Sequence, residues 1–183
     1  MYGAVSRTQF LHGDLKGRNR PSRPPWAVDE AAFLEHCTRC RACLDACPQH
    51  VIVPGSGGFP EVDLRIAECT FCAQCVSGCE PQVLSRSRHL EGLPPWDLTA
   101  EIDRSCLNHQ GVFCRVCADR CIARAIRFLP VRGGAFVPRI DRDHCNGCGA
   151  CVAACPVHAL RAVRPVWAHD PSTPHSQHEE SRA

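Results

Sequence analysis

Four cysteine runs dominate this chain, and whatever holds them decides how it can fold. The most regular is Cys145-x2-Cys148-x2-Cys151-x3-Cys155-Pro156. Three thiolates at steps of three, in a turn loosened by Gly147 and Gly149, can wrap one [4Fe-4S] cube, and in two-cluster proteins the fourth cysteine of a C-x2-C-x2-C-x3-C-P run ligates the other cluster. Such a run predicts partners. The chain supplies three: Cys37-x2-Cys40-x2-Cys43-x3-Cys47-Pro48, Cys69-x2-Cys72-x2-Cys75-x3-Cys79 and Cys106-x7-Cys114-x2-Cys117-x3-Cys121. Numbered I to IV in chain order, they recur at about 30 to 40 residues, the mark of a twice-duplicated unit.

Two other uses of cysteine compete with this reading. Disulfides need an oxidising compartment and an export signal; Arg7, Lys16, Arg18, Arg20 and Arg23 are followed by no apolar run or small-residue cleavage site. Nor does any stretch approach the roughly 18 apolar residues of a membrane span. A soluble, cytoplasmic protein without membrane insertion is predicted. Structural zinc takes two C-x2-4-C or Cys/His knuckles separated by a spacer, whereas three cysteines at successive x2 spacing over-supply one knuckle. Iron–sulfur is favoured in all four motifs, least directly in motif III, where the x7 spacer bulges and Ile122 stands in the place of Pro. Motif II carries Glu80 between Cys79 and Pro81. With three Trp, one Tyr and seven Phe, the chain has few large side chains for a core, so metal cross-links must supply part of the stability. The formal charge of +2 counts thiols as neutral; four clusters at about −2 each bring it to roughly −6, which gives no reason to expect a nucleic-acid partner.

The fold class predicted is α+β, small and loop-rich: two tandem bacterial ferredoxin-like modules with disordered termini. Residues 1–28, rich in Arg, Pro and Gly, read as an extended docking arm, with Arg23 and the aromatic anchor Trp26 as candidate partner contacts. Asp29 can cap a helix over residues 30–35 that delivers the chain to Cys37. Residues 29–95 form the first module and 96–164 the second; 165–183 has no periodicity and reads as a disordered tail. Phe33, Ile66, Ile102 and Ile140 precede the motifs, and Val51/Ile52, Val83/Leu84, Ala125/Ile126 and Ala159/Leu160 follow them. These suggest a short strand leading in and a helical turn leading out.

Two ligand pairings are open. In the tandem arrangement Cys37, Cys40 and Cys43 join Cys79; Cys69, Cys72 and Cys75 join Cys47; Cys106, Cys114 and Cys117 join Cys155; and Cys145, Cys148 and Cys151 join Cys121. A nested arrangement pairs motif I with IV and II with III. His36 and His144 stand immediately before first cysteines, where exposed polar residues are commonplace, and His169, His175 and His178 lie in the tail. No G-x-G-x-x-G, P-loop or nucleophile–base motif is present, so a cluster carrier rather than an enzyme is expected.

The order of these features resembles the NapF family of ferredoxin-type accessory proteins of periplasmic nitrate reductase. The resemblance spans roughly residues 5–164 and is carried by Ser6-Arg7 through Arg23-Pro-Pro-Trp26, His36-Cys-Thr-Arg-Cys40, Gly57-Gly-Phe-Pro60, Glu68-Cys-Thr-Phe-Cys72, Trp96-Asp-Leu98, the long-spaced Cys106…Cys114-Arg-Val-Cys117, and Cys145-Asn-Gly-Cys-Gly-Ala-Cys151. The last is common to many ferredoxins; the long-spaced motif and the arm are distinctive. The resemblance implies a cytoplasmic four-cluster protein that binds the precursor of the reductase's catalytic subunit and assists its maturation before export, by assembling or reducing its cluster. Some relatives carry paired arginines near the N-terminus, whereas here Thr8 follows Arg7. The alternative is an electron-relay ferredoxin subunit passing electrons to a reductase.

Overall fold

The computed structural model describes residues 21–87, 94–131 and 134–164. They fall into two units, one ending at Trp96 and the other beginning at Asp97; the expected division lay one residue earlier.

In the first unit the Asp29 carboxylate accepts from the Ala32 amide at 3.1 Å and opens α1 (Glu30–His36), with Glu30 in the first turn. An N-cap acceptor and an early acid both suit the orphan amides and positive end of a helix. Phe33 is fully buried beneath it. Motif I follows, its third cysteine borne on the one-turn helix α2 (Ala42–Asp45). The chain then makes an antiparallel hairpin of β1 (Ile52–Pro54) and β2 (Pro60–Val62), with Ile52 opposite Val62. Gly57 and Gly58 turn it at φ 65° and 77°. Motif II carries α3 (Gln74–Ser77), which packs on α2. Beyond it the outgoing chain lies beside the incoming one: Ala27 bridges Leu84, the Val28 amide donates to the Val83 carbonyl at 3.0 Å, and the Ser85 amide donates to that of Trp26 at 2.9 Å.

The second unit repeats this plan with longer strands. β3 (Thr99–Ile102) pairs antiparallel with β6 (Leu160–Val163), joining the chain before motif III to the chain after motif IV. Between the motifs lies the hairpin of β4 (Ile126–Pro130) and β5 (Phe136–Ile140), with Ile126 opposite Ile140. The one-turn helices α4 (Val116–Asp119) and α5 (Ala150–Ala153) carry Cys117 and Cys151 and pack together.

Two expectations are corrected here. The apolar pairs after the fourth cysteines do not form helical turns: Ile52, Ile126 and Leu160 begin strands, and Leu84 makes the bridge to Ala27. Of the residues leading in, Ile102 and Ile140 end strands, Phe33 lies on α1 and Ile66 lies in an exposed turn. The cause is local. In every repeat the third residue after the fourth cysteine has left-handed backbone, at φ 52° for His50, 56° for Gln82, 52° for Arg124 and 51° for His158. Its amide donates back to the cysteine carbonyl at 3.0–3.2 Å. A left-handed residue ends helical winding and turns the chain out extended.

The second correction concerns residues 21–28, expected to form part of a docking arm. They are packed into the first unit, with Pro24 and Pro25 fully buried. The expected arm before residue 21 and the tail from Pro165 lie outside the described residues. No helix among the described residues is long and apolar enough to cross a membrane.

Candidate metal centres

Motifs I, II and IV share one backbone device. The residues on either side of the second cysteine are both left-handed: Arg39 and Arg41 at φ 58° and 68°, Phe71 and Ala73 at 54° and 61°, Gly147 and Gly149 at 71° and 83°. Left-handed turns curl the loop and gather peptide N–H groups into a concavity that suits an anion. Only motif IV uses glycine for this. The side chains in motifs I and II hold a conformation costing roughly 1–2 kcal/mol per residue, so their loops are held in shape by what surrounds them.

Motif III reaches the same end differently. Its seven-residue spacer begins with a 3-10 turn (Leu107–Gln110) closed by Gly111 at φ 80°. Asn108, 5% exposed, then clamps the second cysteine. Its Nδ2 donates to the Cys114 carbonyl at 2.6 Å, and its Oδ1 accepts from the Cys114 amide at 3.4 Å. Arg115, after that cysteine, has φ −125° rather than a left-handed value. Sequence reasoning missed Asn108; nothing in the spacer from Leu107 to Phe113 marks its amide, rather than that of Gln110, as the buried one.

The thiols gather in sets drawn from two motifs. One cavity is lined by Cys37, Cys40, Cys43 and Cys79, a second by Cys47, Cys69, Cys72 and Cys75, and a third by Cys121, Cys145, Cys148 and Cys151. Each opens onto atom-free space of about 380, 350 and 340 Å³ respectively. For the remaining four, Cys117 feels the charges of Cys106 and Cys114, and Cys155 is buried in the same apolar cluster as Cys106 and Cys117. All sixteen thiols are free of disulfides.

Electrostatics single out the helix-borne third cysteine of each motif. Burial, with the neighbouring cysteines of its set adding to it, pushes the Cys43 thiol up to about 11 and Cys75 and Cys151 up to about 12. Burial likewise lifts Cys117 to about 11. Four thiolates could not share such a space without cations among them. Backbone donors already address two of the sulfurs: the Ala125 amide reaches Cys121 Sγ at 3.3 Å, and the Ala159 amide reaches Cys155 Sγ at 3.2 Å. A [4Fe-4S] cluster fits this donor set, because it takes one thiolate at each of four irons. By contrast, among the described residues no three His, Cys, Asp or Glu side chains converge on a point a single metal ion could occupy.

The other singled-out residues sit elsewhere. Arg23 and Trp26, both 7% exposed, are part of the first unit's interior, which corrects their assignment as docking contacts. The Arg23 guanidinium lies over Phe33 at 4.9 Å and Phe59 at 5.4 Å, pairs with both Glu30 carboxylate oxygens at 2.7 and 3.1 Å, and donates to the Pro60 carbonyl at 3.2 Å. Its charge is consumed by the fold. Trp26 stands edge-on to Phe71, centroids 6.2 Å apart. His144 is exposed and donates to Asp141 at 3.0 Å, holding that carboxyl below its usual range, and His36 is exposed at the end of α1.

Comparison with known proteins agrees with the donor chemistry. Residues 36–83 match the 4Fe-4S dicluster domain and residues 138–161 match the 4Fe-4S binding domain; motif III is covered by neither. The chain is 43% identical to the ferredoxin-type protein NapF of Escherichia coli K12 over 158 residues, covering 86% of this chain and 94% of that protein. It is 44% identical to NapF of Haemophilus influenzae, covering 86% and 88%. The ferredoxin-type protein NapG of E. coli K12 is 32% identical over 150 residues, 73% of this chain and 65% of that one. With such identity running nearly end to end, the chain belongs to the NapF family of ferredoxin-type iron–sulfur proteins.

Proposed function

We propose that the chain holds four [4Fe-4S] clusters in two tandem modules, liganded by the four mixed thiol sets described above, with the fourth cysteine of each motif serving its neighbour's cluster. The observation that carries this is the lining of three separate cavities by four cysteines each, three from one motif and one from the neighbouring motif. When bound, a cluster supplies one-electron transfer; the chain's residues exclude water, fix the thiolates and donate hydrogen bonds to sulfur. Cys75 feels the charge of Cys43 in the neighbouring set, and Cys151 feels that of Cys117. Within each module an electron would therefore have a short path. The protein acts as a carrier, not as a catalyst.

Membership of the NapF family supports a role with periplasmic nitrate reductase: in the cytoplasm the protein binds the precursor of the catalytic subunit and helps assemble or reduce that subunit's cluster before export. Large apolar side chains in and beside motif III stand in solvent, Phe113 at 73% and Ile122 at 90% exposure, where a partner would cover them. The test is capture of the precursor and of the mature subunit by the anaerobically purified protein. Binding of the precursor alone is expected. Oxidation of the clusters by the assembled enzyme during turnover, without binding of the precursor, would instead establish an electron relay. The cluster count is tested separately: about sixteen irons with equal acid-labile sulfide are expected, and bound zinc without sulfide refutes it.

A further inference from the structure

The cavity lined by Cys47, Cys69, Cys72 and Cys75 differs from the other two in one wall. Trp26 contributes to it, beside Phe71 and Pro25; no indole lines the others. The Trp26 Nε1–H is buried and has no hydrogen-bond partner. Buried indole N–H groups almost always find an acceptor, since an unpaired donor in a dry interior forfeits its hydration without return. The surrounding backbone keeps the ring in place despite a left-handed φ of 62°. The Trp26 amide donates to the Pro95 carbonyl at 2.7 Å, its carbonyl accepts from Ser85 at 2.9 Å, and Arg86 lies 5.8 Å above the ring. Strain, pinning and an orphan donor coincide at a sulfur-lined cavity.

We propose that Trp26 is a positioning and tuning residue for one cluster: its indole N–H donates to a sulfur of the group held by Cys47, Cys69, Cys72 and Cys75, thiolate or bridging sulfide. This rests on the cluster reading above. The sulfur atoms gain negative charge when a cluster accepts an electron, so a fixed donor stabilises the reduced form more than the oxidised and raises the reduction potential. Of the two clusters in the first module, this one becomes the preferred seat of the electron.

The experiment is a redox titration of the full-length, anaerobically loaded protein, followed by electron paramagnetic resonance, with iron and sulfide counted first. In Trp26→Phe, which keeps an aromatic ring but no donor, the counts should match wild type. One couple should fall so that its reduced-to-oxidised ratio at the original midpoint drops about tenfold, equivalent to about 59 mV for one electron, while the other couples hold. Full iron with every couple unchanged overturns the proposal. A wild-type protein without iron and sulfide would sink the cluster reading instead. A second measurement covers a variant that fails to load: wild type grown with 15N-indole tryptophan, chemically reduced, should give a 15N hyperfine coupling to a cluster. That coupling should persist in Trp96→Phe and Trp167→Phe. No coupling, or its loss in either of those variants, refutes the assignment to Trp26.

Discussion

Replacing Asn108 tests whether the irregular motif III is held open for metal by one side chain. Motifs I, II and IV close the gap between first and second cysteines with two residues; motif III needs seven, and the Asn108 amide spans the resulting loop. In Asn108→Ala the 2.6 Å bond to the Cys114 carbonyl is lost, along with the 3.4 Å contact from the Cys114 amide. The first is worth about 1 kcal/mol and the second, at the long edge of acceptable geometry, a few tenths. Cys114 is half-buried, so water re-solvates part of what is exposed. The sum is about 1–2 kcal/mol of local stability, which converts at about 1.4 kcal/mol per decade to a roughly 5- to 30-fold gain in the opening of that loop. The assay is iron release to a ferrous chelator under anaerobic conditions. About four of the sixteen irons should leave on the faster phase, with the remainder at the wild-type rate. Asn108→Asp keeps the oxygen acceptor but loses the amide donor and adds a negative charge, so it should release iron at least as fast. Uniform acceleration of all sixteen, or a rate within twofold of wild type, refutes the clamp.

Gly147→Ala should abolish loading of the set containing Cys145: φ is 71°, and the new Cβ would stand 2.3 Å from the Leu98 carbonyl oxygen, so the iron count should fall to about twelve. Gly111→Ala, at φ 80° with nothing within 4 Å, should cost only the about 1–2 kcal/mol of a left-handed alanine, read from the denaturation midpoint. Ala73→Gly, at φ 61°, should stabilise by up to about 1 kcal/mol, strain relief outweighing added chain entropy. Arg23→Met removes the fork to Glu30 and the contacts with two rings, and should cost about 2–3 kcal/mol because Glu30 is itself partly exposed and can rehydrate; an unchanged midpoint would return Arg23 to the surface. Loading should release protons, because the Cys43, Cys75, Cys117 and Cys151 thiols, raised to about 11–12, stay protonated at neutral pH until iron displaces them. The loaded form binds fewer protons, so reconstitution should become more favourable as pH rises, measured by acidification of a weakly buffered sample.

Much of this architecture is written in cysteine spacing, which brings three thiols of one motif and one of its neighbour to a common cavity. Asp29 before an apolar–acidic run likewise announces α1. What could not be read is conformational. Nothing in Arg39-Cys-Arg41 or Phe71-Cys-Ala73 advertises two left-handed residues, because both motifs lack the glycines that signal them in motif IV; the loop adopts them when four thiols must face one point. The same blindness produced the error over helical turns, since His50, Gln82, Arg124 and His158 are residues with no sequence mark for the chain reversal they make. Arg23-Pro-Pro-Trp26 misled for a different reason. A cationic, proline-rich stretch has linker composition, yet its charge is matched by Glu30, and Pro25 and Trp26 complete a wall beside four thiols. Burial of a charged residue by a specific partner seven positions away is invisible to composition.

The two units also differ in what fills them, and this bears on how each depends on metal. The first has Phe33, Trp26, Leu84 and Val51 in its apolar cluster alongside Cys43, Cys47 and Cys75. The second has no aromatic side chain in its cluster; Ala100, Ala159, Ile126, Val152 and Leu160 surround Cys106, Cys117, Cys151 and Cys155, while Phe113, Phe136, Ile122 and Leu129 stand outside. Alanines bury little area, so the second unit gains less from burial of side chains alone. Clusters ligated across both motifs would add iron cross-links to the packing of α4 on α5. On this account the second unit is the more metal-dependent of the two, and Phe113, Ile122, Leu129 and Phe136 are left free for a surface instead of a core.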